Sequence, residues 1–196
     1  MKKIVIGLIA ALAVTSSFAQ FEKGRILAGG SVGFSTHTYK IESNNTTTTT
    51  AKSTSLSFNP KAGYFIIDKL ALGAGINLLT TTNKDERSSD KEITTSTSFD
   101  PFVRYYLDPG IFFQGSFGVG YNKFKETNGN TTTTTKDNVS NWSLSAGYAI
   151  FLNDHVAIEP SIGYQSYITK NNPDLKFIDS SLFINVGFQI YLGAKK

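Results

Sequence analysis

From Ile26 onward, residues two apart in the chain share a character. Ala28, Gly30, Val32 and Phe34 form one series, and Leu27, Gly29, Ser31, Gly33 and Ser35 form the other. A period of two places alternate side chains on opposite faces of an extended strand, and no helix produces it. The pattern returns in Leu56, Phe58, Pro60, Ala62 and Tyr64, and then in Leu70, Leu72, Ala74, Ile76 and Leu78. With its parity changed it continues through Phe99, Pro101, Val103, Tyr105 and Leu107, and through Ile111, Phe113, Phe117, Val119 and Tyr121. Three further segments carry Trp142 to Ile150, Val156 to Tyr164 and Leu182 to Leu192. Opposite each bulky series lie mostly Gly, Ser, Ala, Asn and Gln. The chain is therefore read as all-β, with eight strands.

The connections alternate as well. Asp68-Lys69, Asp108-Pro109-Gly110 and Asn153-Asp154 have the composition of tight turns. Residues 36–54, 80–96, 123–139 and 167–179 are long, polar and rich in Thr, Asn and Lys. Short turns at one end and long loops at the other describe an up-and-down antiparallel meander. The run NTTTTT occurs twice, at Asn45–Thr50 and Asn130–Thr135, within the first and third long loops. Such runs bury no apolar surface, and their β-branched residues favour extended backbone, so strands are expected to continue past the apolar zone as hairpins.

The bulk properties narrow the setting. Lys2 and Lys3, an apolar stretch from Ile4 to Val14, and Ser17-Phe18-Ala19 make a secretory signal over residues 1–19. One domain over 20–196 is expected to follow it. Without the two signal lysines the formal charge falls from +4 to +2, and no basic stripe remains for a nucleic-acid partner. The absence of cysteine excludes disulfides, thiolate metal sites and a lipoprotein anchor. No metal, cofactor or catalytic residue is expected.

Two eight-stranded closures compete: a membrane barrel with its bulky face toward lipid, and a soluble lipocalin-like barrel with that face around a ligand. A soluble barrel would carry many Lys and Glu on its second face. The Gly/Ser/Asn face suits the crowded interior of a narrow barrel instead. The bulky-face aromatics sort to the strand ends: Phe34, Phe99, Tyr121, Trp142 and Tyr164 toward the long loops, and Tyr64, Tyr105, Phe113 and Tyr148 toward the short turns. Two such girdles around a mainly aliphatic band mark the two interfaces of a transmembrane barrel, with Phe117 as an exception between them. Spanning also demands that the sheet close on itself, because lipid offers the backbone no hydrogen bonds.

Pro101-Phe102-Val103-Arg104-Tyr105-Tyr106, the stretch Gly115 to Tyr121 and the stretch Val156 to Tyr164 together resemble the small eight-stranded outer-membrane β-barrel family of the OmpA and OmpX type, especially versions common in Bacteroidetes-like Gram-negative bacteria. The resemblance implies short periplasmic turns, long extracellular loops and an outer-membrane location. It also implies contact with outer-membrane lipid and lipopolysaccharide, an extracellular protein or glycan ligand met through the loops, and a monomer. The chain departs from the family in ending Tyr191-Leu192-Gly193-Ala194-Lys195-Lys196, where many members finish on an aromatic residue.

Within the barrel, Lys61, Arg104, Gln114, Glu159 and Gln189 fall on the inward face at similar depth and are expected to form a polar plug, with Arg104 and Glu159 as its ion pair. Some barrels of this kind are lipid acyltransferases, deacylases or proteases, work that needs a nucleophile beside a base. Here the histidines, His37 and His155, fall at opposite membrane faces. Asp85-Glu86-Arg87 and Asp90-Lys91-Glu92 read as solvated loop charge rather than a divalent-ion or lipopolysaccharide site. The expected role is structural or interactive at the cell surface. A narrow solute channel comes second and a lipid-modifying enzyme third.

Overall fold

The computed structural model describes residues 18–43, 46–85, 90–128, 131–172 and 175–193. The expected signal segment up to Ser17 lies outside the described residues, as do Asn45, Asn130 and Glu86-Arg87. A 3-10 turn, Phe18–Phe21, precedes strands β1 (Ile26–Ser43), β2 (Thr46–Ile67), β3 (Leu70–Asp85), β4 (Lys91–Leu107), β5 (Ile111–Asn128), β6 (Thr131–Tyr148), β7 (Ile150–Phe151), β8 (Val156–Asn172) and β9 (Leu175–Leu192). β7 is the last two residues of the β6 path, resumed after the buried Ala149, and it pairs only with β8. The wall is therefore eight strands. Each pairs antiparallel with its neighbours in chain order, and β1 pairs with β9 to close the barrel.

The bulky series faces outward and the small series inward. Val32, Leu72, Ile76, Val103, Phe117, Val119, Leu144 and Ile162 are exposed on the outer surface. Eight of the nine girdle aromatics are exposed there too, and Tyr148 is half-buried. Phe117 pairs with Trp142 across β5 and β6, and Trp142 contacts Tyr164 with ring centroids 5.5 Å apart. Phe117 is thus a cross-strand neighbour of the upper girdle. Inside, space is short. A Cβ on Gly73 would stand 2.3 Å from the Ala62 carbonyl and 2.4 Å from the Phe102 ring.

The long connections are hairpins of continuous strand rather than open loops. The β1–β2 ladder reaches Ser43 opposite Thr46, β5–β6 reaches Asn128 opposite Thr131, and β8–β9 reaches Asn172 opposite Leu175. Thr46–Thr50 and Thr131–Thr135 are therefore strand. At about 3.4 Å per residue, the 22 residues of β2 extend ~75 Å, far more than a tilted strand needs to cross the apolar band of about 25 Å. The surplus stands beyond the membrane.

Closure is uneven. β1 and β9 share five pairs, Ile26–Gly30 against Phe188–Leu192, and among the described residues no β1–β9 pair follows. The sheet seals along its lower half, toward the short turns, and parts above.

Candidate functional site

The inward face carries its chemistry on β4, β5, β8 and β9. Arg104 and Tyr106 are two apart on β4 and so share the interior. Gln114 is the direct cross-strand partner of Arg104. Glu159 reaches in from β8, three strands around the wall. Arg104 Nη1 donates to Glu159 Oε2 at 2.7 Å, with both side chains almost wholly buried. Its Nε and Nη2 both donate to Gln114 Oε1, at 2.9 and 2.7 Å. Nη1 also donates to the Tyr106 hydroxyl at 2.9 Å, and the guanidinium lies 4.2 Å from the centroid of Phe112.

The other carboxylate oxygen, Glu159 Oε1, accepts from Tyr191 at 2.6 Å and from Tyr106 at 3.3 Å, and the two hydroxyls are 2.9 Å apart. A buried ion pair is tolerable only when hydrogen bonds satisfy its remaining donors and lone pairs. The two tyrosines and Gln114 do this.

Of the five interior residues singled out in the sequence, Arg104, Gln114 and Glu159 come together. Gln189 is fully buried, its amide lies over Gly29, and neither polar atom has a partner among the described residues. Lys61 lines the space above the cluster without a hydrogen bond among the described residues. Tyr106 and Tyr191, two residues from Arg104 and Gln189, share their parity and complete the cluster.

Beneath this layer is a floor with no strand signal in the sequence. Phe21 turns into the barrel mouth and stacks on Tyr106 at 4.1 Å and 18°, with Phe65, Phe151 and Tyr191 around it at 5.7–6.2 Å ring separations. Backbone bonds hold it there. Lys69 N–H donates to the Phe21 carbonyl at 2.7 Å, Gly24 N–H to Phe65 at 2.9 Å, and Phe65 N–H to Arg25 at 2.9 Å. Leu27, Ala71 and Ala157 complete the packing. Outside the floor, the Lys69 ammonium in the β2–β3 turn is raised above its ordinary pKa by its hydrogen bond to Asp108.

Above the ion pair the interior opens into a polar cavity of about 330 Å³, lined among others by Ser31, Asn59, Lys61, Asn77, Asp100 and Asn141. His37 pairs with Ser53 in the β1–β2 hairpin, and His155 sits at the opposite end, before β8. Among the described residues no three metal-ligating side chains cluster.

The family model of the outer membrane protein beta-barrel domain matches residues 82–195, more than half of the chain. The chain belongs to this family. It is an outer-membrane β-barrel protein. No curated protein sequence matches it. Solved structures similar to this outer-membrane barrel include OprG from Pseudomonas aeruginosa, at 14% identity over 89% of this chain and 99% of that one with a TM-score of 0.49. Neisserial surface protein A is similar at 12% identity over 86% and 97%, with a TM-score of 0.48. The translocator domain of the autotransporter NalP from Neisseria meningitidis is similar at 12% identity over 97% and 68%, also with a TM-score of 0.48.

Proposed function

We propose that this outer-membrane barrel is a surface scaffold. It anchors four long hairpins, three of them rich in threonine, that meet outside partners, proteins or glycans, while its body contacts membrane lipid and lipopolysaccharide as a monomer. The observation that carries this reading is the pairing of a blocked interior with a long exterior. The Arg104–Glu159 layer and the Phe21 floor fill the lower lumen, and the strands run on well past the girdles. An eight-stranded wall leaves little lumen in any case. A catalytic role has no support from the histidines, which stand at opposite ends.

Two measurements test the proposal. Planar-bilayer recordings of the purified barrel should show no conductance above the lipid baseline; steady single-channel steps would replace the scaffold with a pore. Residues 40–50 lie beyond the Tyr39–Ala51 pair and 125–134 lie between the partners Phe124 and Thr135. Replacing each with a short Asn-Gly turn should leave the barrel folded and reduce attachment of cells to surfaces or host matrix. Undiminished attachment of both trimmed proteins would remove the hairpins from that role.

A further inference from the structure

The place where the wall parts is also the place where the cavity begins. Continued upward in register, β1 and β9 would set Ser31 opposite Gly187 and Phe34 opposite Ile184, but those pairs are not made. Gly30 marks the divergence. Its φ of +156° is one that L side chains rarely adopt, and a Cβ there would lie 2.4 Å from the Asn59 carbonyl. Residues on the two edges are the most exposed of the apolar band: Ile184 is 82% and Leu182 77% exposed, against 39% for Leu78, which is paired on both sides. Unpaired backbone at membrane depth is costly against lipid and is tolerated where it lines a polar cavity. Ser31 from one edge and Phe183, Asn185 and Gly187 from the other line this one.

Just inside the slot, β2 presents one unsatisfied oxygen and one ammonium group. Asn59 pairs with Ser31 and donates to its hydroxyl at 3.3 Å, yet Asn59 Oδ1 is buried without a donor, which marks a pocket meant to hold polar guests or water. Lys61 pairs with Gly29, the position before Gly30, and its ammonium has no hydrogen-bond partner among the described residues. The neighbouring charges do not compensate it. Glu159 is occupied by Arg104 and two tyrosines, and Asp100, on β4, accepts from Ser98 at 2.8 Å. Outside the slot stand Val32, Phe34, Ile184 and Val186.

We propose that the slot between β1 and β9 admits a single-chain anionic amphiphile from the outer leaflet, a long-chain fatty acid, whose carboxylate lies at Lys61 in the lumen while its tail leaves between the two strand edges. A cation inside a polar chamber, an apolar frame outside and an opening that joins them match the two ends of such a molecule. A strand from a second copy would cover the edges but leave the Lys61 chamber unused.

The test is saturable binding of dansyl-undecanoate, followed by dansyl emission, to the full barrel in nanodiscs. Wild type should bind one equivalent. Lys61→Met should weaken binding at least tenfold, Lys61→Arg should retain most of it, and Asp100→Asn should tighten it by removing the competing negative charge. A dansyl alkyl amide of equal length, lacking the carboxylate, should bind weakly and be indifferent to Lys61→Met. Joining Val32→Cys and Val186→Cys through a short bis-maleimide should block the probe. Heat-modifiable mobility on SDS gels confirms folding of each variant. The proposal is overturned if folded wild type shows no saturable binding, including because it pairs as a dimer along this edge, or if the Lys61→Met and bridged proteins bind as wild type does.

Discussion

Replacing Arg104 with leucine removes one end of the ion pair across the barrel and leaves Glu159 in place. Two unit charges about 4 Å apart attract by about 4 kcal/mol at an effective dielectric near 20. That gain is lost, while the carboxylate keeps its bonds from Tyr191 and Tyr106, so part of its solvation survives. Gln114 Oε1 loses both of its donors. Removing one partner of a buried pair typically costs about 3–5 kcal/mol. The folded-to-unfolded ratio should therefore drop by roughly two to three and a half powers of ten, at about 1.4 kcal/mol each. Urea titration of lipid-reconstituted barrel, read by the sole tryptophan, Trp142, measures this directly, because that residue sits in the outer girdle. Adding Glu159→Gln keeps an acceptor for the tyrosines and removes the orphan charge, so the double variant should regain about 2 kcal/mol over the single one. An Arg104→Leu protein within about 1 kcal/mol of wild type, or a cycle in which the two changes simply add, would refute the coupling.

Tyr191→Phe should cost about 1.5–3 kcal/mol in the same titration, as a hydrogen bond to a charged acceptor is lost. Phe21→Ala empties the centre of the floor and should cost about 3–5 kcal/mol, with the upper ion pair still formed; unchanged stability would mean the aromatic stack is not a structural element. Gly73→Val drives side-chain atoms into the Ala62 carbonyl and the Phe102 ring, so the variant should fail to show the heat-modifiable band of a folded barrel on SDS gels.

The architecture was legible because a membrane barrel writes its two faces into alternate residues, and parity alone sorted Phe117 and Ile162 outward and Ser116 and Gly163 inward. The same parity placed Arg104 and Glu159 in the lumen, since a lone charge there demands an opposite one. The threonine runs announced extended backbone and strands that continue past the apolar zone as hairpins, as the ladders do. The floor was hidden because Phe21 precedes the first strand, in a segment with no period, and its burial depends on Phe65 and Lys69, far along the chain, bonding to the stretch from Phe21 to Arg25. Lys61 and Gln189 have the same count from the short turns as the cluster without joining it, as strand tilt turns equal counts along two strands into different positions. The early end of the β1–β9 ladder was hidden for another reason: first and last strands meet only through the curvature of the whole sheet, to which no local pattern is dedicated.

The ion pair joins β4 to β8, and the hydroxyl that completes it comes from β9. A sheet that has inserted only its first half has Arg104 but neither Glu159 nor Tyr191 to receive it. These contacts can therefore snap together only once the final strands have curled round to face the early ones. The crossbar works as a latch that distinguishes a finished cylinder from an unfinished curl, and the energy it releases arrives at the last step of assembly.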